Sequence, residues 1–165
     1  MMNTYLSIGS NVGEREKELN EAYGRISTLG NVRGSHIYRT EPWGRKDLAE
    51  FLNACICLET ELPPGELFHC LEKIEKDMGR DRKEKWEPRI IDIDILLSGN
   101  LIFKSPYLEV PHKFLRERRF YLLPLNEIAQ DEQDPLTGKK VNKLLKECKD
   151  NKKVWKIGTI LQLKA

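Results

Sequence analysis

The apolar positions change period along the chain, and that change lays out the elements. Residues 4–8 (Thr-Tyr-Leu-Ser-Ile) read as a short strand closed by Gly9-Ser10-Asn11. Leu19, Ala22, Tyr23, Ile26 and Leu29 then recur at helical spacing behind Glu14, Glu16 and Glu18, acids that suit the positive end of a helix dipole, and Gly30 ends the pattern. Residues 32–40 form a second predicted strand and residues 51–62 a longer third one. Pro63-Pro64 opens a helix whose buried stripe is Leu67, Phe68, Leu71, Ile74 and Met78, with Gly79 as its stop. A β-branched and aliphatic run follows over residues 90–97, bounded by Pro88 and Ser98-Gly99-Asn100, and reads as an interior strand. Strand, helix, strand, strand, helix, strand is the split βαβ order. The predicted fold is therefore α+β, a ferredoxin-like βαββαβ sheet with helices on one face and a C-terminal extension. In that extension a short strand at 101–103, a helix at 120–128 interrupted by Pro124, a helix at 141–148 and a closing strand at 154–161 read as scaffold. No linker or repeat divides the chain, which predicts a single domain over residues 1–165.

The run 90–97 carries two acids where a core strand has no use for them. Residues two apart project from one face of a strand, so Asp92 and Asp94 lie side by side while Ile91, Ile93 and Ile95 face the core. Their Cα atoms are expected roughly 6–7 Å apart, a spacing from which two carboxylates can share cations about 3.5–4 Å apart. A strand with one wet face gives the same pattern, and the flanks decide between the two. Upstream, Gly79 starts a polar loop with Arg80, Arg82, Lys83 and Lys85, followed by Trp86 and Arg89; downstream, His112-Lys113 leads into Arg116, Arg118 and Arg119. Carboxylates hold a hard cation and guanidinium forks grip the phosphate oxygens it leaves uncovered, so Mg²⁺ with a nucleotide suits the set.

Charge and composition narrow the field. A net charge of +2, from 28 basic and 26 acidic residues, argues against a general nucleic-acid or membrane-surface binder. No apolar run reaches the ~20 residues of a membrane span and no signal-peptide pattern opens the chain, which predicts a cytoplasmic protein. Cys55, Cys57, Cys70 and Cys148 contain no Cys-x-x-Cys pair and read as buried small apolar residues. The strand-glycine-helix junction at Gly9 matches neither nucleotide-binding glycine fingerprint. Trp43, between Pro42 and Gly44, fits either a small satellite core or an aromatic lid. Asn53 interrupts an apolar strand, so its amide either ties down a loop or reads a ligand edge. Glu75 near the end of the second helix and His112 after Val110-Pro111 suit either a ligand contact or an ordinary surface or turn role.

Several short motifs coincide with one family. Ile8-Gly9-Ser10-Asn11, Tyr38-Arg39-Thr40 with Pro42 and Gly44, Phe51-Leu52-Asn53-Ala54, Gly79-Arg80, Trp86 with Pro88-Arg89, Asp92-Ile93-Asp94-Ile95, Val110-Pro111-His112 and Arg118 with Phe120 occur in the order found in 6-hydroxymethyl-7,8-dihydropterin pyrophosphokinases. The chain resembles that family over nearly its whole length. The resemblance implies transfer of pyrophosphate from the co-substrate ATP to the pterin hydroxymethyl group, releasing AMP, in folate biosynthesis. It also implies that Asp92 and Asp94 hold two Mg²⁺ ions, Asp92 being near the pterin as well, and that Arg82 and Arg89 answer charge growing in the transition state. Thr40, Pro42, Trp43, Gly44 and Asn53 would line the pterin, with Phe51 and Phe120 sandwiching its ring. Glu75, Arg80, Arg82, Trp86, Arg89, Ile95, His112 and Arg118 would surround the nucleotide, and the loops around Trp43 and Arg80 would be lids. The expected partners are small molecules alone, with the chain a monomer.

Two positions depart from the family pattern and two more have no assigned role in it. Phe51 stands where tyrosine is common, Lys113 where an aromatic residue is frequent, and Glu72 and Tyr107 are unassigned on the nucleotide side. A ferredoxin-like RNA-binding module lacks its aromatic signature here and would set Asp92 and Asp94 against phosphate. A metal-dependent phosphohydrolase leaves Thr40, Phe51, Asn53 and Phe120 without a purpose.

Overall fold

The computed structural model describes residues 1–41, 50–79 and 90–163. In chain order the elements are β1 (Met2–Ser10), α1 (Arg15–Ile26), β2 (Asn31–Gly34), β3 (His36–Thr40), β4 (Phe51–Thr60), α2 (Pro64–Asp77), β5 (Asp92–Ser98), β6 (Phe103–Lys104), β7 (Glu109–Val110), α3 (Arg119–Ala129), α4 (Val141–Glu147) and β8 (Val154–Ile160). The main sheet runs β5-β1-β4-β3-β8, with β2 also paired to β4, and its named pairings are antiparallel. Up to β5 this is the ferredoxin-like arrangement that the element order predicts. Among the described residues no helix is long and apolar enough to cross a membrane.

The predicted strand over 32–40 is divided at Ser35. That buried serine donates its N–H to the Cys55 carbonyl at 2.9 Å and accepts the Cys55 N–H on its hydroxyl at 2.9 Å. A side chain thus takes a place in the ladder that a backbone carbonyl would hold, and β2 and β3 remain neighbours of β4 on either side of it.

Alternation along β1 and β4 sorts the core into two halves. Leu6, Ile8, Leu52, Ala54, Ile56 and Leu58 pack with α1 and α2 on one face. Tyr5, Cys55 and Cys57 pack with α3 and α4 on the other. The C-terminal extension therefore covers the second sheet face, which explains why the central strands read as nearly continuous apolar runs. α3 passes straight through Pro124 and is pinned by Glu127, whose carboxylate accepts the Tyr38 hydroxyl at 2.7 Å and the His36 N–H at 2.9 Å. Cys55 and Cys57 are buried as expected, but Cys70 and Cys148 are only half-buried, at positions on α2 and just after α4 where one side meets solvent.

The place of β5 also differs from the expectation. Among the described residues β5 is an edge strand, paired with β1 alone in the main sheet, although it reads as interior. Its outer rim is closed by other groups. The buried Glu75 of α2 accepts the Ile93 N–H at 2.9 Å, and His112 donates its backbone N–H to the Leu96 carbonyl at 2.9 Å. Leu96 is the extra residue of a bulge, since Tyr5 faces Leu97 and Leu6 faces Ile95. The bulge turns a carbonyl outward, and that carbonyl docks the segment that carries His112.

Candidate active site

Register places the two acids at the ends of neighbouring rows across the sheet. Asp92 faces Gly9, Gly9 faces Asn53 and Asn53 faces Tyr38; one step along, Asp94 faces Ser7. Residues directly opposite share a face, so Asp92, Asp94 and Asn53 lie together, with Phe51 and Thr40 paired at the next position of that face. Gly9 separates Asp92 from Asn53 with no side chain of its own. A Cβ there would lie 2.6 Å from Asn53 Nδ2, so the amide occupies the space the glycine leaves open. Asn53 is 4% exposed and Thr40 1%, yet Asn53 Oδ1 and Thr40 Oγ1 have no hydrogen-bond partner among the described residues. Buried polar atoms of this kind are rare unless something else pairs with them.

A polar chain meets this face at Asp94. The Tyr121 hydroxyl donates to Asp94 Oδ2 at 2.7 Å, and Arg118 Nη1 donates to the Tyr121 oxygen at 2.8 Å. His112 Nε2 lies 3.5 Å from the same oxygen and 4.0 Å from Asp94 Oδ1. Burial, with Arg118 and Lys113 nearby, lowers the His112 pKa to about 4, so the imidazole is neutral at physiological pH. Its Nδ1 accepts the Phe114 N–H at 3.1 Å, which puts the ring proton on Nε2. The segment that carries these groups is anchored from behind by Arg116, paired at 2.9 Å with the fully buried Asp134. Arg118 also lies 4.4 Å from the Phe114 ring centre, a cation–π contact that helps fix the guanidinium.

Burial and the charge of Asp92 raise the Asp94 pKa to about 6, against the lowering effect of the Tyr121 hydrogen bond. A carboxyl whose folded pKa is raised adds stability below the ordinary carboxylate range and loses it as pH rises through about 6. Asp94→Asn is therefore expected to melt above the parent in EDTA at pH 8. With the side chain 35% exposed and its charge partly screened, the gain is about 1 kcal/mol, and it shrinks to nothing near pH 4 in thermal melts run across that range.

The pair suits a divalent cation as a donor set. Among the described residues no cluster of three or more His, Cys, Asp or Glu could hold a metal. Two carboxylates are what Mg²⁺ takes from a protein when phosphate oxygens and water complete its shell, and a cation would relieve the repulsion between them. On the other side of Asp94 a cavity of about 220 Å³ opens between α2 and the 105–113 segment, lined by Phe68, Leu71, Ile95, Tyr107, His112 and Lys113. The Phe68 and Tyr107 rings stack at its edge, 6.3 Å apart and 12° from parallel.

Of the residues singled out in the sequence, the structure brings Asp92, Asp94, Asn53, Thr40 and Phe51 onto one sheet face. It sets Ile95 and His112 in the neighbouring cavity and Arg118 beside Tyr121. Phe120 is half-buried in the first turn of α3, its ring centre 4.7 Å from that of Tyr121. Glu75 lies behind β5, bonded to its backbone. Pro42, Trp43, Gly44, Arg80, Arg82, Trp86 and Arg89 lie outside the described residues. The sequence reading missed Tyr121; its spacing of three from Arg118 at a helix start was the available signal.

Known proteins resemble this chain in sequence and in fold. A family model described as 7,8-dihydro-6-hydroxymethylpterin-pyrophosphokinase matches residues 5–130. A Methylorubrum extorquens protein named 2-amino-4-hydroxy-6-hydroxymethyldihydropteridine pyrophosphokinase is 41% identical over 134 residues, covering 79% of this chain and 85% of its own. The Haemophilus influenzae protein of the same name is 36% identical over 157 residues, covering 93% of this chain and 98% of its own. Among solved structures, an HPPK-DHPS in complex with substrates superposes with a TM-score of 0.72 at 16% identity, over 88% of this chain and 44% of that one. The wild-type Plasmodium falciparum HPPK-DHPS with SDX-DHP gives 0.66 at 15% identity, over 89% of this chain and 43% of that one. At these identities the structural likeness speaks to the fold. The sequence matches go further: this chain belongs to the 7,8-dihydro-6-hydroxymethylpterin pyrophosphokinase family.

Proposed function

We propose that the protein transfers the pyrophosphoryl group of ATP to the hydroxymethyl oxygen of 6-hydroxymethyl-7,8-dihydropterin and releases AMP, a step of folate biosynthesis. The observation that carries this reading is the row Asp92-Gly9-Asn53, which sets a metal-type acid beside a buried amide whose carbonyl awaits a partner. A pterin ring has donors and acceptors along one edge, and Asn53 with Thr40 supplies the complement, while Phe51 and Phe120 offer aromatic faces. The family resemblance adds Pro42, Trp43 and Gly44 to the pterin contacts. The nucleotide lies on the Asp94 side, its base towards the Ile95 cavity and its phosphates towards His112 and Arg118; the family resemblance adds Arg80, Arg82, Trp86 and Arg89 as nucleotide contacts, and Glu75 supports the site from behind β5.

In the reaction the hydroxymethyl oxygen forms a bond to the β-phosphorus. The bond from that phosphorus to the oxygen bridging the α-phosphorus breaks, AMP leaves with the electron pair, and the hydroxyl proton passes to solvent. In-line positioning and charge neutralisation do most of this work. Two Mg²⁺ ions, when bound by Asp92 and Asp94, supply charge neutralisation at the phosphate oxygens. Arg82 and Arg89 add guanidinium charge where negative charge grows. The chain acts as a cytoplasmic monomer on small-molecule substrates.

The test is to incubate the protein with ATP, Mg²⁺ and the pterin and to separate the nucleotides. Pterin-dependent AMP with a diphosphorylated pterin is the expected result; pterin-independent ADP and phosphate would point to a hydrolase. In the same assay Gly9→Ala is expected to retain the fold and raise the KM for the pterin about tenfold. The added methyl displaces the Asn53 amide and costs about one well-placed hydrogen bond.

A further inference from the structure

Tyr121 follows Phe120 in the first turn of α3 and is 2% exposed. Its hydroxyl has one proton and three neighbours. Arg118 Nη1 is 2.8 Å from the phenol oxygen and, as a guanidinium, can only donate. His112 Nε2 is 3.5 Å away and carries the ring proton, because Nδ1 already accepts the Phe114 N–H. Neither can accept from the phenol, so its proton is committed to Asp94 Oδ2 at 2.7 Å. The direction of the hydrogen bond is thereby fixed from both ends. It restricts rotation of the Asp94 carboxylate about its terminal torsion, which is otherwise broad. An oxygen that accepts one hydrogen bond keeps a second lone pair for a cation.

We propose that Tyr121 is a positioning residue for the divalent cation, holding the Asp94 carboxylate in its ligating orientation through a hydroxyl whose direction Arg118 and His112 set. This rests on the metal reading of Asp92 and Asp94. Hydrogen-bonded groups behind a metal ligand are worth about 10–100-fold in metal affinity when removed. A tyrosine that merely satisfied its own hydroxyl would affect stability without favouring the cation over other ligands.

The experiment is Mn²⁺ binding, read by electron paramagnetic resonance of the free ion, in the presence of a non-hydrolysable ATP analogue. Tyr121→Phe is compared with the parent and with Asp94→Ala, and pterin affinity is measured on the same samples by fluorescence. The expected result is a loss of about tenfold in Mn²⁺ affinity for Tyr121→Phe with pterin affinity unchanged. Unchanged Mn²⁺ affinity in Tyr121→Phe, where Asp94→Ala binds weakly, would overturn the role given to the tyrosine. A parallel loss of pterin affinity would also overturn it, as general loosening of the site. Full Mn²⁺ affinity in Asp94→Ala would instead remove the metal reading itself. If Tyr121→Phe does not fold, Tyr121→Met, which adapts its shape to the same space without a hydroxyl, gives the same comparison.

Discussion

Pterin-dependent AMP release is expected to fall about 1,000-fold when Asp94 is replaced by alanine, and by a similar factor for Asp92→Ala. A cation at a transferring phosphate contributes several kcal/mol of transition-state stabilisation, and each ~1.4 kcal/mol is a factor of ten. Two ligands of one cation centre act as a unit, so the double replacement is expected to be little worse than either single one. The fold should not suffer, because Asp94 ionises against burial and the neighbouring charge of Asp92. Initial rates of AMP release, alongside thermal melts in EDTA, check both halves. A variant that keeps its rate within tenfold of the parent would show that the acids serve only the sheet.

Why that site was legible, and where legibility ended, follows from what each signal depends on. Asp92-Ile93-Asp94 stands out because strand period is local: two acids on one face of an apolar run need no tertiary knowledge to be noticed. The helix stripes of α1 and α2 are local in the same sense, and they came out as expected apart from Phe68, half-buried at the cavity edge, and Leu29, which lies beyond the end of α1. The edge position of β5 was hidden. A continuous apolar run signals cover on both faces and says nothing of what closes a rim, here the Glu75 carboxylate and the backbone of His112. The cover on the second face comes from α3 and α4, whose periodicity shows that they bury a stripe but not against what. For the same reason Tyr121 passed unnoticed: its contact with Asp94 spans 27 residues and exists only because α3 lies across the sheet. Gly9 was visible as a turn-like residue, whereas its purpose, room for the Asn53 amide, is set by a strand 44 residues away.

Thr40→Val and Asn53→Ala are expected to weaken pterin binding about tenfold each while leaving the ligand-free protein as stable as the parent or slightly more so. The two effects have one cause. Thr40 Oγ1 and Asn53 Oδ1 are buried and lack a partner among the described residues, so the ligand-free fold bears the desolvation of both atoms. An unpaired buried polar atom costs about 1–3 kcal/mol, and valine replaces threonine with nearly the same shape, so removing the hydroxyl relieves that cost. For Asn53→Ala the relief is offset by the space left beside Gly9, and the net change should be small. In the complex the balance reverses: a ligand edge that has given up water finds no partner, and roughly 1.4 kcal/mol per lost hydrogen bond is a factor of ten. Thermal melts without ligand and fluorescence titration with the pterin measure the two sides separately. Loss of stability together with unchanged pterin affinity would mean that Thr40 and Asn53 serve the sheet. Stability retained with affinity lost is the signature of polar groups kept unpaired for a substrate.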